Sequence, residues 1–167
     1  MRFTQKLWFE IVSVVAVVTS LIFLTIEISQ SNRIALTTAE TELRRTVLDL
    51  NMRVAEDSEL SGILVKLRQG EALTQEEDFR ALSYAGAAMG ILTEANVAYS
   101  NELLSDYSLG IYMRLIDDFL VRTPEIGRYW SSIVIQYNLH ESDTPLWKHL
   151  TEKLSSLGFE FSSESGI

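Results

Sequence analysis

Side chains able to do chemistry are few in this sequence, and they are scattered. Histidine occurs twice, at His140 and His149, with Glu141 and Asp143 between them. Imidazoles beside carboxylates are metal donors, but this spacing matches no zinc pattern. The chain has no Glu-x-x-His of the kind that builds a di-iron bundle. A solvated polar turn is the simpler reading. Glu94 and Asn96 interrupt an otherwise apolar run, and a carboxylate buried there would carry the shifted pKa that functional sites use. A hydrogen-bonded or partly exposed residue is the competing reading. Asp117-Asp118 reads as a solvated face. With no cysteine, the chain has no disulfide, Cys-ligated zinc, iron–sulfur cluster or thiol nucleophile. It also lacks G-x-S-x-G, Walker A, G-x-G-x-x-G and H-E-x-x-H motifs. No catalytic residue, metal site or cofactor is assigned, and an enzyme ranks last among the readings.

The elements that must hold these residues are legible. A chain of 167 residues allows one domain, or a small domain with an appendage. At 47% hydrophobic, with two prolines and eight glycines, it is neither fibrous nor disordered. The net charge of −9 argues against nucleic acid as a partner.

The strongest signal is near the start. Ile11 to Ile26, IVSVVAVVTSLIFLTI, carries no charge, and the apolar stretch runs from Leu7 to Ile28, broken only by Glu10 and Glu27. On a helix rising about 1.5 Å per residue, Glu10 and Glu27 lie about 25 Å apart. Both carboxylates then reach the edges of a hydrocarbon core roughly 30 Å thick. Trp8 and Phe9 stand where an aromatic belt forms. A transmembrane helix over 7–28 and a lipid bilayer partner are predicted. Two other readings compete. A cleaved signal peptide fits the start Met-Arg-Phe-Thr-Gln-Lys but lacks a small-residue cleavage site. The other is a core helix of a soluble protein. Arg2 and Lys6 precede the span, and Arg33, Arg44 and Arg45 follow it. The compact basic N-terminus favours N-in, placing the remainder outside the cytoplasm.

Ser13, Ala16, Ser20 and Glu27 fall within about 60° of one another on this helix. Small and hydroxylated side chains on one face suit close helix contact in lipid. They suit equally the simple tolerance of hydroxyls that bond to their own backbone. Glu27, at the end of the span, reads as an interfacial carboxylate.

No Pro or Gly occurs before Gly62, so the helix is predicted to continue to about Ala55. Leu36, Ala39, Leu43, Val47, Leu50 and Val54 recur every three or four residues as an apolar stripe. On a straight helix this stripe faces nearly opposite to Ser13 and Ser20. Asp57 or Ser58 is predicted to cap a second helix, with Ile63, Leu64 and Leu67 inside, ended by Gly70. Thr74-Gln-Glu-Glu77 is a capping box opening a third helix to about Ser100. Its predicted inner residues are Phe79, Leu82, Ala85, Ala88, Met89, Leu92 and Ala95. Gly86 and Gly90 share a face that admits a close helix or, with Glu94, borders a ligand pocket. Asn101 is expected to close this helix in the left-handed conformation. Ser105 or Asp106 caps a fourth helix carrying Leu109, Met113, Ile116 and Leu120, stopped at Thr123-Pro124. A fifth, from about Glu125 to Tyr137, carries Ile126, Tyr129, Trp130, Ile133 and Val134. Ser131 to Tyr137 is the one stretch that also fits a strand. A last helix after Asp143-Thr144-Pro145 carries Leu146, Trp147, Leu150 and Leu154 and ends at Gly158.

Several runs, in order, resemble a family of bacterial proteins of unassigned activity with one N-terminal membrane helix and a helical domain. Ser20-Leu-Ile-Phe-Leu-Thr-Ile-Glu-Ile-Ser-Gln-Ser-Asn-Arg33 is similar to that family's exit from the membrane. Ala55-Glu-Asp-Ser-Glu-Leu60 and Leu73-Thr-Gln-Glu-Glu77 with Phe79-Arg80 are similar to its next helix starts. Asn101-Glu-Leu-Leu-Ser105, Pro124-Glu-Ile-Gly-Arg-Tyr-Trp130 and Thr144-Pro-Leu-Trp147 fit its later turns. Ser29 stands where the family has a basic residue, and Tyr129-Trp130 where it has two tryptophans. The resemblance implies a topology, and no reaction; the expected location is the bacterial plasma membrane.

The predicted architecture is all-α: a flank over 1–6, a transmembrane helix over 7–28, a helical bundle domain over 29–157 and a frayed tail over 158–167. The expected function is interaction or assembly, as a homo-oligomer or an accessory subunit of a membrane protein complex. The alternatives are a small-ligand sensor with its pocket near Gly86, Gly90 and Glu94, and an oligomeric pore lined by Ser13, Ser20 and Glu27.

Overall fold

The structure, a computed structural model, describes the backbone of residues 2–161 and the side chains of residues 8–161. Among them the only regular structure is helical. Six α-helices follow in order: α1 (Arg2–Glu56), α2 (Ser58–Gln69), α3 (Gln75–Ser100), α4 (Asp106–Arg122), α5 (Ile126–Gln136) and α6 (Pro145–Ser156). A single 3-10 turn, Leu139–Glu141, lies between α5 and α6. Ser131–Gln136 is therefore helix, not strand. The chain divides into two compact units, Met1–Thr38 and Ala39–Ile167.

In the first unit, α1 carries the apolar stretch with a mean hydropathy of 2.5, and none of its most apolar window is buried. This is the one helix among the described residues long and apolar enough to cross a membrane.

In the second unit the helix boundaries follow local chemistry. The Asp57 carboxylate accepts from Glu59 N and Leu60 N, both at 3.0 Å, and opens α2. Gly70 closes it at φ 68, a conformation that suits glycine. At α3 the capping box is complete: Glu77 N donates to Thr74 Oγ1 and Thr74 N to Glu77 Oε2. Ser105 caps α4 through Ser108 N. Pro145 occupies the first turn of α6, where its missing N–H costs nothing.

The close of α3 differs from expectation. Asn101 has φ −94, and the left-handed residue is Glu102, at φ 60. Leu103 N reaches back to Ala98 O at 2.8 Å and Glu102 N to Tyr99 O at 3.0 Å. That pair of bonds places the reversal one residue beyond Asn101 and buries Leu104.

α3 packs against α2, α4, α5 and α6. Its covered residues are Ala81, Tyr84, Ala85, Met89, Ile91, Leu92 and Ala95. Phe79 and Leu82, expected inside, are 69% and 41% exposed, because no neighbour covers the side they share with Gly90. The other stripes are as read. Leu43 is buried, with Val47, Leu50 and Val54 packed against the core. Ile116, Ile126, Val134, Leu146, Leu150 and Leu154 are sealed at its centre. Phe159 and Phe161 also pack on the core, so the chain stays engaged past Gly158. The rest of the expected frayed tail, 162–167, lies outside the described residues.

Candidate functional site

Ser13, Ala16, Ser20 and Glu27 are all exposed on α1. The hydroxyls of the apolar stretch close on their own helix. Ser13 Oγ donates to Phe9 O at 2.8 Å and Ser20 Oγ to Ala16 O at 2.9 Å. Thr19 and Thr25 donate in the same way to Val15 O and Leu21 O. Each bond satisfies a donor that hydrocarbon could not. What remains outward at Ser13, Ala16 and Ser20 is a small, nearly apolar surface.

In the helical unit, polar clusters tie separate helices together. Glu40 Oε1 accepts from Ser108 Oγ at 2.7 Å, Ser105 Oγ at 2.8 Å and Ser105 N at 3.3 Å. A carboxylate is thus set against the N-terminus of α4, where the helix dipole favours it. The Ser108 and Ser105 hydroxyls hold the Glu40 carboxyl below its ordinary range, against an opposing effect of burial. Asp78 Oδ1 accepts from Tyr129 OH at 2.6 Å and Arg128 Nη2 at 2.8 Å, joining α3 to α5. Burial, and then the bond to Asp78, push the Tyr129 phenol up. Lys66 meets Glu77 at 2.6 Å between α2 and α3, and that contact, with the Thr74 N–H, holds Glu77 low.

The two histidines do not converge. His149 Nε2 lies 2.9 Å from Asp117 Oδ1, which Lys153 also approaches at 3.2 Å, joining α4 to α6. His140 stacks on Phe161, their centroids 6.1 Å apart. Among the described residues, no group of three or more potential metal donors comes together.

Of the expected pocket, two members meet. Gly86 and Gly90 line an open groove of about 550 Å³ with Met89, Thr93, Ile133 and Tyr137. A Cβ on either glycine would touch nothing within 4 Å, so no helix of the domain closes on them. Glu94 is exposed and does not line this groove. It sits two turns on and about 80° around α3 from Gly86. The close approach occurs instead at Gly127, where a Cβ would lie 2.6 Å from Phe159 Cε2.

A second cleft escaped the sequence reading. Tyr84, Tyr112, Phe119 and Trp130 converge on a cavity of about 100 Å³ covered by Val47 and Leu50 of α1. Trp130 is fixed by its Nε1–H bond to Ala85 O at 3.0 Å and by stacking on Phe119 at 5.1 Å. Tyr112 was the available signal, since it falls within the apolar stripe of α4. Compared with protein-family models, curated proteins and solved structures, the chain matches none.

Proposed function

We propose that this chain is a single-pass protein of the bacterial plasma membrane that acts by assembly, as a homo-oligomer or as an accessory subunit of a membrane complex. Arg2 and Lys6 orient it N-in, with the acidic helical domain outside the cytoplasm. The proposal includes membership of the bacterial family that it resembles. The observation that carries it is the fully exposed apolar length of α1, whose Ser13 and Ser20 hydroxyls are already satisfied. Such a face can meet another helix in lipid by close packing, with no donor left unpaired. Glu27, at its end, sits at the interface and leaves the contact apolar.

The test is native mass spectrometry of the tagged full chain, drawn from its own membranes in mild detergent. A discrete homo-oligomer, or a fixed complex, is expected. Ala16→Leu and Ser20→Leu should disperse it without changing the helical content. A monomer, or an assembly that neither variant alters, counts against this face.

A further inference from the structure

The cleft between α1, α3 and α4 has features that a finished core lacks. Its larger part, about 100 Å³, is floored by Phe119 and Trp130 and walled by Leu50 and Leu92. A smaller part, about 70 Å³, adjoins it and shares Val47, Tyr112 and Leu115. Close-packed interiors leave few voids larger than a water. Tyr84 and Tyr112 line the cleft and are 8% and 6% exposed; neither hydroxyl bonds to another described residue, and neither is sealed from solvent, so both are free to meet a ligand. Tyr112 also lines the smaller part with Glu40, Arg44 and Ser108, which makes that part the polar end. Ala88, small and half-buried, leaves the wall open between Tyr84 and Leu92.

We propose that this cleft binds a small neutral molecule, one ring in size, bearing a carbonyl or hydroxyl group. The ring rests on Phe119 and Trp130, and its oxygen accepts the Tyr112 hydroxyl proton. The size follows from the volume, since an apolar cavity of about 150 Å³ holds one benzene. Neutrality follows from the walls. The larger part offers only Asn51 and two phenols as polar partners, and an ion there would lose its hydration uncompensated. At the polar end, Glu40 is already engaged by Ser105 and Ser108, and the two charges that line it, Glu40 and Arg44, offset each other.

The experiment is fluorine NMR of 4-fluoroacetophenone with the full chain in nanodiscs, against empty nanodiscs as the partition control. Saturable broadening, displaced by unlabelled acetophenone, is expected only with protein. Tyr112→Phe, which keeps the shape, should weaken it about fivefold, as for one lost hydrogen bond. Ala88→Leu should abolish it by filling the cleft. Tyr112→Phe carries the test if Ala88→Leu does not fold. 4-Fluorobenzoate should bind at least tenfold more weakly. Broadening equal to that of empty nanodiscs, or binding unchanged in Tyr112→Phe, overturns the site. Equal binding of the benzoate overturns its neutrality.

Discussion

The Ser108 hydroxyl donates to the Glu40 carboxylate across 2.7 Å, joining two residues 68 positions apart in the chain. That contact, with its neighbour from Ser105, fixes α1 at Glu40 to the N-terminus of α4. Removing the acceptor takes two hydroxyl bonds from the carboxylate, although Ser105 Oγ still reaches Ser108 Oγ at 3.1 Å, and a hydrogen bond to a charged group contributes about 1.5–3 kcal/mol. Glu40→Ala is expected to lower the stability of the helical domain by about 1–2 kcal/mol, since the site is only partly buried. Ser108→Ala should cost less, because Ser105 still reaches Glu40. Thermal melts followed by circular dichroism decide it, and equal losses for both variants would contradict the assignment.

The same group sets an acid limit. The Glu40 carboxyl is held below 4.5 in the native state, as is that of Glu77. Between the lowered native value and about 4.5, the unfolded chain binds more protons than the native one, so stability rises with pH there. The contribution is complete above about 4.5 and is lost as pH falls through the native values. Denaturation midpoints should drop steeply in this window for the wild type and less steeply for Glu40→Gln. Parallel curves would show that Glu40 carries none of the dependence.

At the alkaline end the sign reverses. Burial raises the phenols of Tyr84, Tyr112 and Tyr129 above 10.0. Their contribution is present below about 10 and is lost as pH climbs through the higher native values. Phenolate absorbance from these three should therefore appear only above that value and together with loss of helix. Their ionisation without unfolding is the contrary result.

Three glycines on two helices should respond in opposite ways. Gly86→Ala and Gly90→Ala meet open space, and each should stabilise by about 0.5–1 kcal/mol through helix propensity. Gly127→Ala puts a Cβ 2.6 Å from the Phe159 ring, which must move. A cost of about 1–2 kcal/mol is expected, at the low end for overpacking because a half-buried ring can shift. Melting temperatures test the contrast, and a stabilising Gly127→Ala would show that Phe159 yields freely.

What could be read from the sequence was local. The caps at Asp57, Thr74 and Ser105 are legible because a side chain and its backbone target lie within three residues. The stripes of α1, α4 and α6 are legible because each helix packs on one side. α3 was misread at Phe79 and Leu82 because a helix touched from several directions has no single stripe. Glu40–Ser108, Asp78–Tyr129 and His149–Asp117 left no mark, since their partners lie 68, 51 and 32 residues apart. The aromatic cleft was hidden for the same reason, as three of its walls come from separate helices. Glu102, rather than Asn101, reverses the chain because burial of Leu104 decides the register, and residue type alone does not.

The absence of cysteine makes the central claim, that α1 crosses a bilayer, directly testable. Single Ser20→Cys and Ser31→Cys chains, in opened membranes, would be exposed to a water-soluble maleimide. The thiol at position 20 should stay unreacted until detergent is added, while the thiol at 31 labels at once. Equal labelling of both before detergent would contradict the membrane span and, with it, assembly through the Ser13, Ala16 and Ser20 face.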